Sequence, residues 1–213
     1  MGNSETAKEN NTKRKKQLAL LTQVKAKPFD EASASRLLDE VGGIDDPFDD
    51  NRNPMTYLLA ATEENNLRAV RFLLDHGSDP NMMIGEWEDC PFENLQFPPD
   101  DKADNQERLE IAKLFLEHGA DPNIPVDGEA LYDYVTYEAF EHIGEYDRDY
   151  LLKFYLLLVA FGGGGKRYPK PDLTEKIDLD HIFEYDFKFF LCEDGYHLEG
   201  HIFTPDGRDI GRV

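Results

Sequence analysis

Apolar residues recur at helical spacing in two segments of the chain, residues 67–75 and 109–117. The two apolar stripes consist of Leu67, Val70, Leu73 and Leu74 in the first segment and of Leu109, Ala112, Phe115 and Leu116 in the second. Each segment runs into His-Gly and then, one residue later, into Asp-Pro-Asn. A glycine in the left-handed region ends a helix, and Asp-Pro-Asn favours a turn. The pattern therefore predicts two amphipathic helices with the same C-terminal turn.

The two segments are copies of one repeat. Aligned at an offset of 42 residues, positions 67–81 and 109–123 are identical at seven of fifteen sites. A helix with a single apolar face cannot bury that face alone, so such a unit must stack on its neighbours. This self-similarity predicts a repeat architecture.

The repeated segments resemble ankyrin repeats. In that family the outer helix ends in a leucine-rich stretch and a His-Gly-Ala-Asp-type turn, which both copies match, and the inner helix begins with Thr-Pro-Leu-His-x-Ala. Residues 56–61 keep Thr56, Leu58 and Ala61 of that motif, whereas residues 90–95 and 129–134 match it weakly. The resemblance implies a solenoid of helix–turn–helix units whose concave surface recognises proteins.

The spacing of the copies departs from the family period of about 33 residues. Residues 96–107 contain Pro98 and Pro99 and fit a loop inserted between an inner and an outer helix. A third, divergent unit has its outer helix at 150–161, closed by Gly162. The predicted organisation is a disordered basic arm at 1–16, an N-terminal helical cap at 17–53, ankyrin-like repeats with inter-helix insertions at 54–165, and a C-terminal β-rich cap at 166–213.

The C-terminal segment differs in kind from the repeats. Residues 187–191 and 196–203 have strand character, and the turn residues at 205–207 would let 210–213 pair back. The predicted fold class is therefore mainly α, an ankyrin-like helix–turn–helix solenoid with a small C-terminal antiparallel sheet or hairpin.

Charge narrows the choice of partner. The chain has 44 acidic and 23 basic residues, a net charge of −21, which argues against nucleic acid and against an anionic membrane surface. The basic cluster at 13–16 fits a solvated N-terminus, with a nucleic-acid patch and a loose myristoylation pattern at 1–6 as alternatives. The two cysteines lie far apart and favour reduced thiols in a cytoplasmic protein. We expect a monomer that binds a basic protein.

Motifs for chemistry fit this sequence poorly. The run Gly162–Lys166 follows a predicted helix and lacks the Ser or Thr of a phosphate loop, and residues 49–60 lack the Gly and Glu of a calcium hand. His197, Glu199 and His201 would share one strand face and could bind a metal with His181, although a half-exposed polar face is the simpler interpretation. The sequence predicts no catalytic, cofactor or metal site.

The predicted function is a non-enzymatic protein–protein interaction module. The only Trp, two Met and three acids fall in the turn at 82–89, where exposed aromatics are typical anchors of an interface. The expected partner-binding residues are Met83, Glu86, Trp87, Glu88, Thr62, Glu63, Glu64, Ile124 and Asp127. An alternative is a bacterial immunity protein that masks a basic nuclease-type toxin, and a third is a hydrolase or metal-dependent enzyme in the C-terminal sheet.

Overall fold

The protein is described by a computed structural model over residues 2–50, 53–85, 89–99, 101–126, 128–141, 147–192 and 198–213. It is mainly α-helical, with a small antiparallel sheet at the C-terminus, which confirms the predicted fold class. The chain divides into two compact units. Unit 1 comprises Met1–Leu95 and Asp101–Ala120, and unit 2 comprises Gln96–Asp100 and Asp121–Val213.

Unit 1 consists of helices arranged in consecutive pairs, with one short hairpin. Its described α-helices and strands are α1 (Gly2–Lys25), α2 (Glu31–Val41), β1 (Phe48–Asp50), β2 (Asn53–Met55), α3 (Tyr57–Glu63), α4 (Leu67–Asp75) and α5 (Asn105–Glu117). Side-chain oxygens begin three of these helices: Asp30 accepts from the Ser33 N–H, Thr56 from the Leu59 N–H, and Asn66 from the Ala69 N–H. Each such cap satisfies a backbone donor that the first helical turn leaves unpaired.

The two repeated helices, α4 and α5, lie against each other in unit 1. Their apolar stripes form the seam, since Val70, Leu73 and Leu74 of α4 and Ala112, Phe115 and Leu116 of α5 are all buried. Burying one such side chain contributes about 1.5–3 kcal/mol, so the seam is a principal source of stability in this unit. This arrangement confirms the stacking that the internal repeat predicts.

The N-terminal helix is longer than the sequence pattern suggests. The apolar residues Leu20 and Val24 are buried where α1 packs on α2 and α3. Further towards the N-terminus, Lys16 pairs with Glu40 at 3.1 Å and Lys13 with Asp46 at 3.7 Å. The basic cluster, which was expected to fray into solvent with the rest of residues 1–16, is thus helical and faces acidic residues of the next segment.

The inner helix of the second repeat is reduced to a single 3-10 turn, Glu93–Gln96. The ring of Phe92, just before it, stacks on Phe115 of α5 at 5.7 Å. The predicted loop at 96–107 is shorter than expected, because a second 3-10 turn (Lys102–Asp104) leads directly into α5 at Asn105. Asp101 starts that turn by accepting from the Ala103 N–H at 2.9 Å.

Unit 2 holds the third helix pair and the C-terminal sheet. Its described elements are β3 (Pro125–Val126), β4 (Glu129–Ala130), α6 (Leu131–Phe140), α7 (Arg148–Ala160), a 3-10 turn (Ile182–Glu184), β5 (Asp186–Leu191), β6 (Leu198–Phe203) and β7 (Asp209–Arg212). The three long strands form an antiparallel sheet in the order β5-β6-β7, so the predicted C-terminal strands are present. Phe187 and Phe189 of β5 contact Phe140 of α6 and attach the sheet to the helices.

Candidate partner-binding surface

The turns after α4 and α5 have the same geometry. Gly77 and Gly119 both adopt φ +90°, a left-handed conformation that glycine accepts without strain. The next N–H reaches back in each case, from Ser78 to the Leu73 carbonyl and from Ala120 to the Phe115 carbonyl, both at 3.0 Å. The glycine N–H groups also donate, from Gly77 to the Leu74 carbonyl at 3.0 Å and from Gly119 to the Leu116 carbonyl at 3.1 Å. The two bonds at each turn form the Schellman motif, which satisfies carbonyls that the helix end leaves unpaired. The shared His-Gly and Asp-Pro-Asn residues thus form the same turn in both repeats.

Side chains at these turns connect the successive repeats of unit 1. His118 Nε2 lies 3.1 Å from Asp75 Oδ1, while its Nδ1 faces the Leu114 carbonyl at 2.9 Å. Asn81 donates through Nδ2 to the Gly119 carbonyl at 2.9 Å. His118 and Asn81, which both belong to the repeated motif, therefore connect the two turns.

By sequence position, four of the nine predicted partner-binding residues fall at the first turn tip, residues 82–89. Met83 is half-buried there, and the tip is closed by an antiparallel bridge between Ile84 and Asp89. Ile84 itself is buried and anchors the tip to the core. Glu86, Trp87 and Glu88 lie outside the described residues.

The predicted residues of α3 separate into one buried and two exposed positions. Thr62 is 0% exposed, and its hydroxyl donates to the Leu58 carbonyl at 2.8 Å. Thr62 is therefore a core residue, and its assignment to the binding groove was wrong. Glu63 and Glu64, at the C-terminal end of the same helix, are exposed. The split follows position along the helix, because α3 is buried on all sides from Tyr57 to Thr62 and only its C-terminal end is exposed.

The next tip belongs to unit 2 and is the β3–β4 hairpin. Ile124, which was predicted to face the partner, is 3% exposed, and its carbonyl accepts from the Leu131 N–H at 2.9 Å. It therefore holds the hairpin to the start of α6 and cannot contact a partner. Asp127 lies outside the described residues. The neighbouring Glu129 is exposed.

Comparison with known families agrees with this geometry. Residues 55–83, from the start of α3 to the first turn tip, match the family described as Ankyrin repeat. The chain contains an ankyrin repeat. Members of this family are generally non-enzymatic binding modules, and such a repeat supports a role in protein–protein interaction. No curated protein matches the chain.

The ankyrin repeat explains the residues around its inner helix. Thr56 caps α3, as the Thr of the family motif would, with its hydroxyl oxygen 3.2 Å from the Leu59 nitrogen. Tyr57 stands where the motif has Pro, and its ring packs on Phe48 at 4.9 Å. Burial raises the pKa of Tyr57 to about 12, with Asp46 adding to the effect. The core thus accommodates Tyr57 in place of the proline of the motif.

The glycine run after α7 forms a loop around one carboxylate in unit 2. Asp133 of α6 is 5% exposed, and it accepts from three successive backbone N–H groups: Lys166 at 3.0 Å, Arg167 at 3.3 Å and Tyr168 at 2.9 Å. Consecutive N–H groups aimed at one point form an anion-binding nest. Here the anion belongs to the protein itself, so the loop that resembles a phosphate loop in sequence is closed on α6.

Glycine is needed at the closest approach in this loop. A Cβ on Gly165 would lie 1.8 Å from Asp133 Oδ1, which no side chain could tolerate. Gly162 ends the preceding helix with φ +98°, as the sequence predicts. The glycine run therefore combines a helix stop with room for the buried carboxylate.

An aromatic and charged cluster beside this loop escaped the sequence analysis. The Arg167 guanidinium lies over the rings of Tyr137 and Tyr168, 4.7 and 5.0 Å from their centroids, and pairs with Glu141 at 3.3 Å. The Tyr168 hydroxyl donates to Glu141 at 2.5 Å. Partial burial and this hydrogen bond raise the pKa of Tyr168 to about 12. Only the adjacency of Arg167 and Tyr168 in the sequence hinted at the cluster, because Tyr137 and Glu141 come from a distant helix.

This cluster stands beside an open cleft of about 580 Å³ in unit 2. The cleft lies between the β3–β4 hairpin and the glycine loop, and its charged rim residues Glu129 and Lys166 are exposed. Tyr and Arg are the residue types that most often anchor protein interfaces. The cleft is therefore a candidate for a second binding surface in unit 2.

The strand residues that were considered as a metal site are engaged in ion pairs with neighbouring side chains. Glu199 is paired with Arg212 at 2.7 Å, and His201 Nδ1 lies 2.6 Å from Asp209, while His197 falls outside the described residues. Across the described ranges there is no group of three or more His, Cys, Asp or Glu side chains that could hold a metal ion. Burial raises the pKa of the Cys90 thiol, which disfavours the reactive thiolate.

Among the residues that the structure describes, no helix is both long enough and apolar enough to cross a membrane.

Proposed function

We propose that this protein is a non-enzymatic interaction module that binds another protein through its repeat tips and the groove beside α3. The observation that carries the proposal is the ankyrin repeat at 55–83, whose outer helix α4 stacks on the equivalent helix α5. Repeats stacked in this way present a rigid, extended surface, and a preorganised surface loses little entropy on binding.

The proposed partner is a basic protein. The chain carries a net charge of −21, and Glu63 and Glu64 are exposed at the end of α3. A surface with this excess of negative charge attracts cationic proteins and accelerates their encounter. The same charge disfavours nucleic acid and anionic membranes as partners.

The proposed contact residues are chosen by the solvent exposure of their side chains and by their position in the sequence. Met83, Glu63 and Glu64 are accessible to a partner, whereas Thr62 and Ile124 are withdrawn because they are buried. Glu86, Trp87, Glu88 and Asp127 remain in the proposal on the strength of their sequence positions at the two tips. Trp87 is the proposed aromatic anchor.

The proposal is tested by affinity capture from native lysate at low and high salt. We expect one basic protein to be retained at low salt and released at high salt, because screening weakens exposed charge pairs. Two variants with the same change in charge distinguish a contact at the groove from the effect of the overall negative charge. Glu64→Lys lies at the groove, and Asp39→Lys lies on the exposed side of α2. The proposal is supported if Glu64→Lys and Trp87→Ala lose capture of the basic protein while Asp39→Lys retains it.

Equal capture by the wild-type protein and by all three variants would contradict it. If the captured protein is a basic nuclease, its activity is measured with and without the acidic chain. Loss of nuclease activity in the complex would assign the inhibitor, or immunity, form of this function.

A further inference from the structure

The C-terminal sheet has one closed edge and one open edge. At β7, the Thr174 N–H and hydroxyl both donate to the Ile210 carbonyl, at 2.8 and 3.1 Å. The same segment packs so closely that a Cβ on Gly211 would lie 2.9 Å from the Asp172 carbonyl oxygen. No strand of the described chain pairs with β5 except β6. The protein thus blocks one edge of the sheet and leaves the other available.

The open edge also carries exposed apolar side chains. Phe190 is 48% exposed and Leu191 is 64% exposed, the highest values among the large hydrophobic residues that the structure describes. An exposed apolar edge strand is a template for pairing with another chain, and proteins normally protect it. The edge at Phe190 and Leu191 is therefore open to a strand from a partner.

The edge strand is held firmly from both faces of the sheet. On the helix side, Phe189 lies 6.1 Å from Phe140 and beneath the Arg148 guanidinium at 4.1 Å. On the outer side, Lys188 sits 4.2 Å from the Phe203 ring and Phe190 packs edge-on against His201 at 5.0 Å. A strand fixed in this way offers preorganised N–H and C=O groups to an incoming segment.

Charge selects the kind of segment that fits this edge. Unit 2 contains 21 acidic and nine basic residues, a net charge of −12. Glu184 and Asp186, at the start of the strand, are exposed. A second copy of the chain would bring a further −12 against this surface, whereas a basic segment would be attracted to it.

We propose that β5 binds an extended segment of a basic protein as a fourth strand of the sheet. Main-chain hydrogen bonds along Asp186–Leu191 supply affinity, and alternate side chains supply selectivity. Apolar side chains of the segment lie beside Phe189 and Leu191, and basic side chains lie on the other face near Asp186 and over the Phe190 ring. A cation over that ring would repeat the contact that Lys188 makes with Phe203. The proposal rests on the proposed function only for the charge of the partner.

The test uses the full chain and a fluorescent peptide of about ten residues that alternates valine and lysine. Two control peptides replace lysine by glutamate or carry N-methyl groups on alternate residues, which removes main-chain donors. We expect anisotropy to report binding of the first peptide, with affinity for both controls at least about tenfold weaker. Amide shifts in the NMR spectrum should map to β5.

Two protein variants with the same change in charge locate the site: Leu191→Lys at the edge and Leu18→Lys at another exposed leucine, on α1. We expect Leu191→Lys to weaken peptide binding about tenfold and Leu18→Lys to change it less than about twofold. Thermal unfolding followed by circular dichroism checks that both variants are folded.

The proposal is overturned if the valine–lysine peptide does not bind, if Leu191→Lys binds it as well as wild type, or if the N-methylated peptide binds equally. It is also overturned if the free chain forms a dimer that Leu191→Lys abolishes, because a second copy would then occupy the edge. Loss of peptide binding in the groove variant Glu64→Lys would also overturn it, because the peptide would then bind at α3 and not at β5. Capture of a protein from lysate through the groove does not depend on whether the peptide binds β5. Failure of this proposal is therefore distinguishable from failure of the proposed function.

Discussion

The backbone N–H of Tyr168 donates to the Asp133 carboxylate at 2.9 Å, and so fastens the loop after α7 to the inner helix α6. Two neighbouring N–H groups point at the same carboxylate. A buried carboxylate is stable when several donors surround it, and those donors are costly to leave unpaired. This one side chain therefore positions both the cleft and the Arg167 cluster in unit 2.

Asp133→Asn should destabilise the protein by about 2 kcal/mol, because the amide offers one acceptor oxygen and turns its N–H groups towards donors. Urea unfolding, followed by circular dichroism, measures the change. Gly165→Ala should be at least as damaging, since its Cβ overlaps the carboxylate. Lys166→Ala, at an exposed position of the same loop, is the control and should change stability by less than about 0.5 kcal/mol. Wild-type stability of Asp133→Asn would show that the loop is not held in this way.

Asn66 connects α1 to the ankyrin repeat, and two substitutions there separate its roles. Its Nδ2 donates to the carbonyls of Val24 and Ala26, both at 2.9 Å, while its Oδ1 caps α4. Asn66→Asp keeps a capping oxygen but puts a carboxylate beside two carbonyl oxygens. We expect it to destabilise the protein more than Asn66→Ala, which should lose about 1–3 kcal/mol. Denaturant midpoints provide the comparison, and the reverse order would refute the assigned contacts.

Arg108 connects the 3-10 turn of the second repeat to the C-terminal end of α3. It is buried, and its guanidinium donates to the Asn94 carbonyl at 2.5 Å and to the Thr62 carbonyl at 3.5 Å. Arg108→Ala leaves these carbonyls with fewer donors and should cost about 2–4 kcal/mol, whereas Lys113→Ala on the more exposed side of α5 should cost less than about 0.5 kcal/mol. Thermal unfolding of both variants is the measurement. Equal melting temperatures would contradict the role given to Arg108.

Tyr168 should titrate above the ordinary pKa of a tyrosine, which is about 10. Burial and the hydrogen bond to Glu141 raise its pKa to about 12, so the folded protein favours the neutral phenol. The stabilisation from this group is therefore complete below about pH 10 and is lost as the pH rises towards 12. Glu141→Gln removes the nearby negative charge and should lower the pKa of Tyr168. Ultraviolet difference titration of the two proteins, with Tyr168→Phe as the reference, decides the matter.

The repeat architecture could be predicted because the sequence repeats the physical determinants of the fold. His-Gly and Asp-Pro-Asn specify the same turn twice, and the apolar stripes of the two copies meet in the structure. The C-terminal strands could also be predicted, because alternating apolar and polar residues and the turn residues between them define strands locally. Local signals of this kind need no knowledge of distant contacts.

The side-chain environment of the binding surface was harder to foresee. Thr62 and Ile124 were assigned to the surface from family position, yet both face inward, because exposure depends on how neighbouring elements pack. The Arg167 cluster joins residues of α6 to the loop after α7, about 30 residues later in the chain, so no single segment of the sequence reveals it. Likewise, the difference between the two edges of the sheet depends on Thr174 folding back onto β7.

The most direct test of the central claim is hydrogen exchange of the chain alone and in complex with the protein that it captures. The account predicts slower exchange in the complex at the end of α3 and in the first turn tip, around Glu64 and Met83, with unchanged exchange in the buried centre of α4. Unchanged exchange at both of these sites in a saturated complex would contradict the claim that the ankyrin repeat is the partner-binding scaffold.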